Sequence, residues 1–201
     1  MEAATANIAY LKVDDLDIPQ EPSKKTTPCT MQAMKLTFVI FSAISLLGFT
    51  AKAEPLAVGS KAPIITAKDQ DGDPINFGDV YSKGTTLVYF YPKAGTAGCT
   101  AQACSLRDSF ADLSGEGLQI LGVSEDTAES QKKFKEENKL PFPLIADSDG
   151  KVAEAFGVPT TMGLAKRQSF IIKDGKIAWS SLQAKTKEHA QEVQAALDSL
   201  K

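Results

Sequence analysis

The segment from residue 92 to residue 104 constrains this chain most, because it joins a strand-like run at 87–91 to a helix-like run at 105–113. It carries Cys99 and Cys104. At such a junction, unpaired backbone N–H groups and the helix dipole stabilise an anion, and the thiolate is the reactive form of cysteine. The position therefore predicts redox chemistry at Cys99. The alternative interpretation is a pair of small, buried apolar residues.

The five-residue spacing of the two cysteines predicts a disulfide that forms and breaks. On a regular helix, five residues give a rise of about 7.5 Å and a rotation of roughly 140°, whereas bridged cysteines need Cα atoms within about 6.8 Å. Either the helix is absent, or its first turns unwind each time the bridge forms. Thioredoxin-like exchangers use a shorter Cys-x-x-Cys pair, which this sequence lacks.

The small and polar residues around Cys99 favour a functional site at this cysteine. The Thr96 hydroxyl can hydrogen-bond to the cysteine sulfur or to an oxygen substrate. Pro92 fixes its φ and lacks an N–H, so it can end the strand and shape the loop. Gly95 and Gly98 allow a tight curl that turns backbone N–H groups towards a ligand.

The chain has only two arginines, Arg107 and Arg167. A guanidinium stays charged and offers a rigid fork of hydrogen-bond donors. It can therefore hold a thiolate and polarise an oxygen–oxygen bond. Arg107 lies in the predicted cysteine helix, where we expect an ion pair with Asp108 or Asp112. Arg167 precedes the strand-like run at 169–173, and for it we predict a functional role.

The pattern formed by Pro92, Thr96 and Cys99 matches the active-site signature of the peroxiredoxins, Pro-x-x-x-Thr-x-x-Cys. From about Leu56 to the C-terminus, the chain resembles the peroxiredoxin Q subfamily, also called bacterioferritin comigratory protein. It departs from that subfamily at Ala97, where proline usually precedes the glycine. The change loosens the loop but removes no reacting group. The stretches that carry the resemblance are 89–93, 98–100, 102–104, 106–108 and 167–172.

The resemblance implies a thioredoxin-like α/β/α sandwich with a mixed central sheet, and a thiol-dependent peroxidase acting on hydrogen peroxide and organic hydroperoxides. It implies that Cys99 is the peroxidatic cysteine and that Cys104 resolves its sulfenic acid as an intramolecular disulfide. Thr96 and Arg167 would activate peroxide and thiolate, with Pro92 completing the site. A thioredoxin or similar dithiol would be the reductant, and the subfamily favours a monomer.

Two other classes of function remain open at this point. One is a thiol–disulfide exchanger acting on exported proteins, which the missing Cys-x-x-Cys pair and the presence of Thr96 and Arg167 disfavour. The other is a binding protein whose surface is switched by the disulfide. Peroxide consumption by residues 54–201 with a dithiol reductant would separate all three.

Charge and motif content argue against several functions. The net charge is −3 and no basic cluster with interleaved aromatics is present in the sequence, so we expect no nucleic-acid partner. The sequence has neither metal-ligand spacing nor a glycine-rich phosphate loop, so we expect no metal and no cofactor. The single histidine, His189, is expected at the surface of a polar C-terminal helix.

Residues 1–33 differ in character from the rest of the chain. They contain three prolines and show no sustained periodicity. We expect either a disordered tail or an upstream start, with translation truly beginning at Met34 or Met31.

Residues 34–53 have the pattern of a secretory signal peptide. A lysine follows Met34, an apolar run spans 36–49, and Ala51-x-Ala53 is a small-residue cleavage site. We therefore expect an exported protein, periplasmic or otherwise extracytoplasmic, with no membrane span after cleavage. Cleavage would also remove Cys29. The alternative is an uncleaved membrane anchor formed by 36–49, although this run is short for a span.

Residues 54–201 alternate strands and helices, which predicts one α/β domain with a mixed sheet. The run at 85–91 has the pattern of a central strand buried on both faces. Hairpins are expected at 64–77 and 170–180, where two Asp-Gly pairs supply the turns. The other expected elements are a strand at 119–123, an extended segment at 140–144, and helices at 105–113, 127–138, 152–156 and 187–200.

Overall fold

The computed structural model describes residues 54–201. The expectations for the tail at 1–33, the signal peptide at 34–53 and the loss of Cys29 lie outside the described residues. The elements are, in chain order, β1 (Thr66–Lys68), β2 (Pro74–Asn76), α1 (Phe77–Tyr81), β3 (Thr86–Phe90), α2 (Ala97–Asp108), α3 (Phe110–Gly115), β4 (Gln119–Ser124), α4 (Ala128–Asn138), β5 (Leu144–Ala146), α5 (Lys151–Ala155), β6 (Thr160–Thr161), β7 (Leu164–Ala165), β8 (Gln168–Lys173), β9 (Lys176–Ser181) and α6 (His189–Ser199).

Five of these strands form the central sheet, in the order β5-β4-β3-β8-β9. The strands β3, β4 and β5 are parallel, whereas β8 pairs antiparallel with β3, and β9 antiparallel with β8. All residues of β3 are buried, because strands flank it on both sides and helices cover both faces. The predicted mixed sheet and its central strand are confirmed.

Alternation along β3 divides the core between the two faces of the sheet. Leu87 and Tyr89 face a cluster with residues from α2, α3, α4 and α6, whereas Val88 and Phe90 face a cluster with residues from α1 and α5. Burial of each Leu, Val or Phe side chain stabilises the fold by about 1.5–3 kcal/mol. The layers are therefore helix, sheet and helix, as the α/β/α sandwich predicts.

The helix that carries the cysteines starts earlier than the helix-like run at 105–113 indicates. Periodicity predicts one helix over 105–113, whereas α2 begins at Ala97 and ends at Asp108, before the separate α3. Ser109, with φ −102° and ψ 9°, breaks the helix between them. The first turns consist mainly of small and polar residues, so hydrophobic periodicity carries little signal there.

The two predicted hairpins are confirmed, since β1 pairs antiparallel with β2, and β8 with β9. The predicted helix at 127–138 is also present as α4, and the Thr127 hydroxyl caps it by accepting a hydrogen bond from the Ser130 N–H. Between residues 54 and 201, none of the helices has both the length and the apolar character needed to cross a membrane.

Candidate active site

Cys99 lies in the first turn of α2, after the loop that follows β3. It is the third residue of the helix and is buried, with 2% of its surface exposed. Thr96 occupies the N-cap position with φ −81° and ψ 148°. Backbone N–H groups of a first turn lack intrahelical partners and stabilise an anion. The predicted placement of Cys99 at a helix N-terminus is confirmed.

Arg167 supplies a positive charge beside Cys99. It lies directly before β8, and its Nη2 donates to the Cys99 Sγ at 3.3 Å. Its Nη1 donates to Oε1 of Gln102. One arm of the rigid guanidinium fork therefore meets the sulfur, while the other arm fixes the orientation of the fork.

Gln102 is a site residue that the sequence reasoning missed. It lies three residues after Cys99, on the same face of α2, and is fully buried. Its carbonyl oxygen accepts from Arg167, whereas its Nε2 has no hydrogen-bond partner among the described residues. The i, i+3 spacing from the cysteine is the signal that could have identified it.

Thr96 and Pro92 shape the loop before the cysteine. The exposed Thr96 side chain donates its hydroxyl to the carbonyl oxygen of Lys93 at 3.0 Å, rather than to the Cys99 sulfur. Pro92 is half-buried and follows the end of β3 at Phe90. The structure therefore brings Thr96 to the start of α2, and its hydroxyl can donate to the sulfur or to a bound oxygen only in place of its bond to Lys93.

Cys104 lies on the same helix, five residues after Cys99, and both thiols are free. It is half-buried, and its Sγ lies 3.8 Å from Oδ1 of Asn138 in α4. A helix rises about 7.5 Å over five residues, which holds two cysteines too far apart to pair. Of the two options that the spacing left open, the helix is present. A bridge between these cysteines therefore requires local unwinding.

The sequence profile of the AhpC/TSA family matches residues 58–180, which contain both cysteines and Arg167. The chain belongs to the AhpC/TSA family. One relative in this family, Peroxiredoxin Bcp from Escherichia coli strain K12, is 41% identical over 143 residues, which cover 67% of this chain and 91% of that protein. Chloroplastic Peroxiredoxin Q from Sedum lineare is 37% identical over 148 residues, which cover 71% of this chain and 78% of that protein.

Solved structures in the family have the same fold. The crystal structure of peroxidoxin BcpB from Mycobacterium tuberculosis has a TM-score of 0.68 at 32% identity, and the match covers 73% of this chain and 99% of that one. Another structure, from work on the alkyl peroxide reduction activity of the Xanthomonas campestris bacterioferritin comigratory protein, has a TM-score of 0.65 at 25% identity. The match covers 72% of this chain and 99% of that one. The resemblance to the peroxiredoxin Q subfamily and the thioredoxin-like fold are confirmed.

The second arginine of this peroxiredoxin joins α2 to α4. Arg107 forms an ion pair with Asp108, with Nη2 and Oδ1 separated by 2.7 Å. The hydrogen bond to Asp108 raises the Arg107 pKa above its usual value. Its Nη1 also donates to the backbone carbonyl of Asn138 at 2.8 Å. The expected surface ion pair is confirmed.

His189 is buried, so its expected position at the surface was wrong. It opens α6 with 0% exposure, and its Nε2 lies 2.9 Å from the Ser169 hydroxyl. Its ring meets the Tyr89 ring edge-on, with 5.7 Å between centroids. Burial, with a smaller contribution from Arg167, lowers the His189 pKa to about 3. The mostly polar sequence at 185–192 concealed one side chain that faces the sheet.

Proposed function

We propose that this peroxiredoxin, a thiol-dependent peroxidase, reduces hydroperoxides through a sulfenic acid on Cys99 and a Cys99–Cys104 disulfide. The observation that carries the proposal is the buried Cys99 sulfur in the first turn of α2, with Arg167 Nη2 at 3.3 Å. The helix N-terminus and the guanidinium both stabilise a thiolate. Burial excludes water, which strengthens the interaction between the guanidinium and a thiolate.

In the first step, the Cys99 thiolate attacks one oxygen of the hydroperoxide, and the oxygen–oxygen bond breaks. The sulfur keeps one oxygen as a sulfenic acid, and the other oxygen leaves as water or an alcohol after it takes a proton from solvent. Arg167 faces the sulfur and stabilises the negative charge on the leaving oxygen. Thr96 donates its hydroxyl to the peroxide after releasing the carbonyl of Lys93.

In the second step, the Cys104 sulfur attacks the sulfenic sulfur, which forms the disulfide and releases water. Cys104 must leave Asn138 for this step, and α2 must unwind between the two cysteines because bridge geometry does not fit the helix. A dithiol reductant then exchanges with the disulfide. The exchange restores both thiols and leaves the reductant oxidised.

For the substrate we infer both hydrogen peroxide and organic hydroperoxides. The alkyl peroxide reduction activity of the Xanthomonas campestris relative supports the second class. For the reductant we infer a thioredoxin-type dithiol, and for the enzyme a monomer, on the strength of the family resemblance. A protein acting only in thiol–disulfide exchange or redox-switched binding would consume no peroxide.

Peroxide consumption tests the assignment of the cysteines. With a dithiol reductant the full chain should turn over peroxide, and Cys99→Ser should lower the turnover by more than about a thousandfold, since it removes the nucleophile. Cys104→Ser should complete one reaction with peroxide and then stall, with one added oxygen visible by mass. Gain of one oxygen by Cys99→Ser, or failure of Cys104→Ser to react even once, would reverse or remove the assignment. A lack of peroxide consumption by the unsubstituted protein would refute the proposed function itself.

We also propose that the enzyme is exported. The signal-like pattern at 34–53 comes before the residues that match the family, and cleavage after Ala53 would leave Cys99 and Cys104 as the only cysteines. Mass spectrometry of the protein from a secreting host tests this proposal. A chain that begins at Glu54 supports cleavage, whereas a membrane-bound chain that keeps residues 36–49 supports the anchor instead.

A further inference from the structure

A carboxylate from a neighbouring loop binds the loop that precedes Cys99. Asp126 follows β4, and its Oδ2 accepts a hydrogen bond from the backbone N–H of Ala94 at 2.7 Å. Ala94 lies between the end of β3 and the start of α2. Because β3 and β4 are parallel neighbours, the loops that follow them lie side by side at the C-terminal ends of the two strands. The bond between Asp126 and Ala94 joins them there.

Asp126 is itself held by a chain of buried hydrogen bonds. The Ser124 hydroxyl donates to Asp126 Oδ2 at 2.6 Å and accepts from Gln131 Nε2 at 2.8 Å. Gln131 also donates to the Ile145 carbonyl at 2.9 Å, and its Oε1 accepts from the Tyr91 hydroxyl. Ser124 and Gln131 are fully buried. Satisfied buried networks are rigid, so the carboxylate has a fixed position.

The network meets the active-site loop at both ends. Tyr91 comes directly before Pro92, and Ala94 comes two residues after it, so the loop is bonded to the same network on either side of the proline. The bond to Asp126 involves a charged acceptor and is therefore of the stronger kind. At Ala97, the first residue of α2, the chain lacks the fixed φ that a proline would supply. The backbone position at the start of α2 therefore depends more on Asp126 than it would with a proline at residue 97.

We propose that Asp126 is a positioning residue for the peroxide step, an inference that rests on the proposed function. Cys99 reaches the site from the β3–α2 junction, whereas Arg167 reaches it from β8, on the side of β3 opposite to β4. Their 3.3 Å contact persists only while the start of α2 keeps its place. A misplacement of about 1 Å at a reacting group can lower a rate about 100-fold. Asp126 acts through the N–H of Ala94.

Two variants separate the charge of Asp126 from its role as an acceptor. Loss of the alignment with Arg167 would move the pH–rate profile of the peroxide step to higher pH, because the guanidinium favours the thiolate. Asp126→Asn removes the charge and keeps an acceptor, whereas Asp126→Ala removes both.

The test measures the single-turnover rate of the reduced full chain with hydrogen peroxide across pH. We expect Asp126→Ala to slow this step by about tenfold or more and to move its profile to higher pH, while Asp126→Asn stays within about threefold of the unsubstituted protein. Ser124→Ala, which removes one support of the carboxylate, should fall between them. Asp149→Asn removes a surface carboxylate paired with Lys151 and should match the unsubstituted protein.

Thermal unfolding of each variant shows whether it folds. An unchanged rate in folded Asp126→Ala would overturn the proposal, and so would an equal loss in Asp126→Asn, because that variant keeps the acceptor for the Ala94 N–H. If Asp126→Ala does not fold, Ser124→Ala decides, and an unchanged rate in that variant overturns the proposal. If the unsubstituted protein does not react with peroxide, both the proposed function and the role of Asp126 are refuted. The two failures are therefore distinguishable.

Discussion

The two arginines give the sharpest comparison at the scale of single residues. Both guanidinium groups contact α2, and both carry the same charge. Arg167 reaches the Cys99 sulfur, whereas Arg107 binds Asp108 and the Asn138 carbonyl. A difference between their alanine variants therefore reports the position of the charge and not its mere presence.

Arg167→Ala should slow the reaction of reduced protein with peroxide by about 100-fold, because it removes the donor that faces the developing negative charge. Stopped-flow measurement of a single turnover gives this rate directly. Arg107→Ala is the matched control. It should change the rate by less than about threefold and the stability by about 0–1 kcal/mol, as is typical of an exposed ion pair. A larger rate loss for Arg107→Ala would show that the two roles are exchanged.

Sequence patterns predicted the candidate site residues that lie close together in the chain. Cys99, Thr96 and Pro92 stand within one short motif, and Arg167 was conspicuous as one of two arginines. Asp126 was out of reach, because it binds a backbone N–H that lies 32 residues earlier in the chain. Such contacts depend on which strands become neighbours, and no local pattern specifies that.

At the scale of secondary structure elements, α2 and α6 pack in the same core cluster, and a side-chain hydrogen bond also links them. The Ser105 hydroxyl accepts a hydrogen bond from the backbone N–H of Ala190 at 3.0 Å. Ala190 lies in the first turn of α6, where backbone donors lack intrahelical partners. Ser105 therefore caps α6 from a different helix. Unwinding of α2 would remove this acceptor.

Amide hydrogen exchange across residues 99–108 should be faster in the disulfide form than in the dithiol form, by more than about tenfold, because the bridge breaks helical hydrogen bonds. The Ala190 amide should lose protection as well, since its acceptor lies within the unwound segment. Amides of β3 serve as the internal control. Unchanged protection over 99–108 after oxidation would mean that a thiol on a second molecule, and not Cys104, resolves Cys99.

Elements with a continuous apolar run or a charged amphipathic pattern were predictable. The mostly apolar strand β3 and the charged amphipathic helix α4 were both expected close to their observed bounds. Periodicity did not show the first turns of α2, because their residues are mainly small and polar, and only the position of Cys99 at the junction indicated them. Among the elements, the prediction was therefore weakest for the helix turns that carry the candidate active site.

At the scale of the whole molecule, two buried groups give opposing contributions to pH-dependent stability. Burial lowers the His189 pKa from 6.5 to about 3, so the folded chain binds fewer protons than the unfolded chain within that window. The free energy of unfolding then falls as the pH falls. Burial raises the Asp147 pKa from 3.8 to about 6, although the Val152 and Ala153 N–H groups oppose this. The contribution of Asp147 to the free energy of unfolding therefore rises as the pH falls.

The two contributions oppose each other between about pH 4 and pH 6, and single variants should separate them. His189→Gln should gain stability relative to the unsubstituted protein as the pH falls from 6 towards 4, and Asp147→Asn should lose it. Each difference should change by at most about 1.4 kcal/mol per pH unit. Urea unfolding at a series of pH values measures both. Parallel curves for His189→Gln and the unsubstituted protein would contradict the assignment of a neutral buried histidine.

Because Ser105 caps α6, we expect the first turn of α6 to influence the reduction potential of the proposed Cys99–Cys104 disulfide. The dithiol form keeps the bond between Ser105 and Ala190, and the proposed disulfide form loses it. A net hydrogen bond of about 1 kcal/mol corresponds to roughly 20 mV in a two-electron couple. Ser105→Ala should make the potential more negative by that amount, as measured by equilibration with a glutathione buffer. If the potential shifts in this way, a helix that contains no cysteine stabilises the reduced form of the cysteine pair.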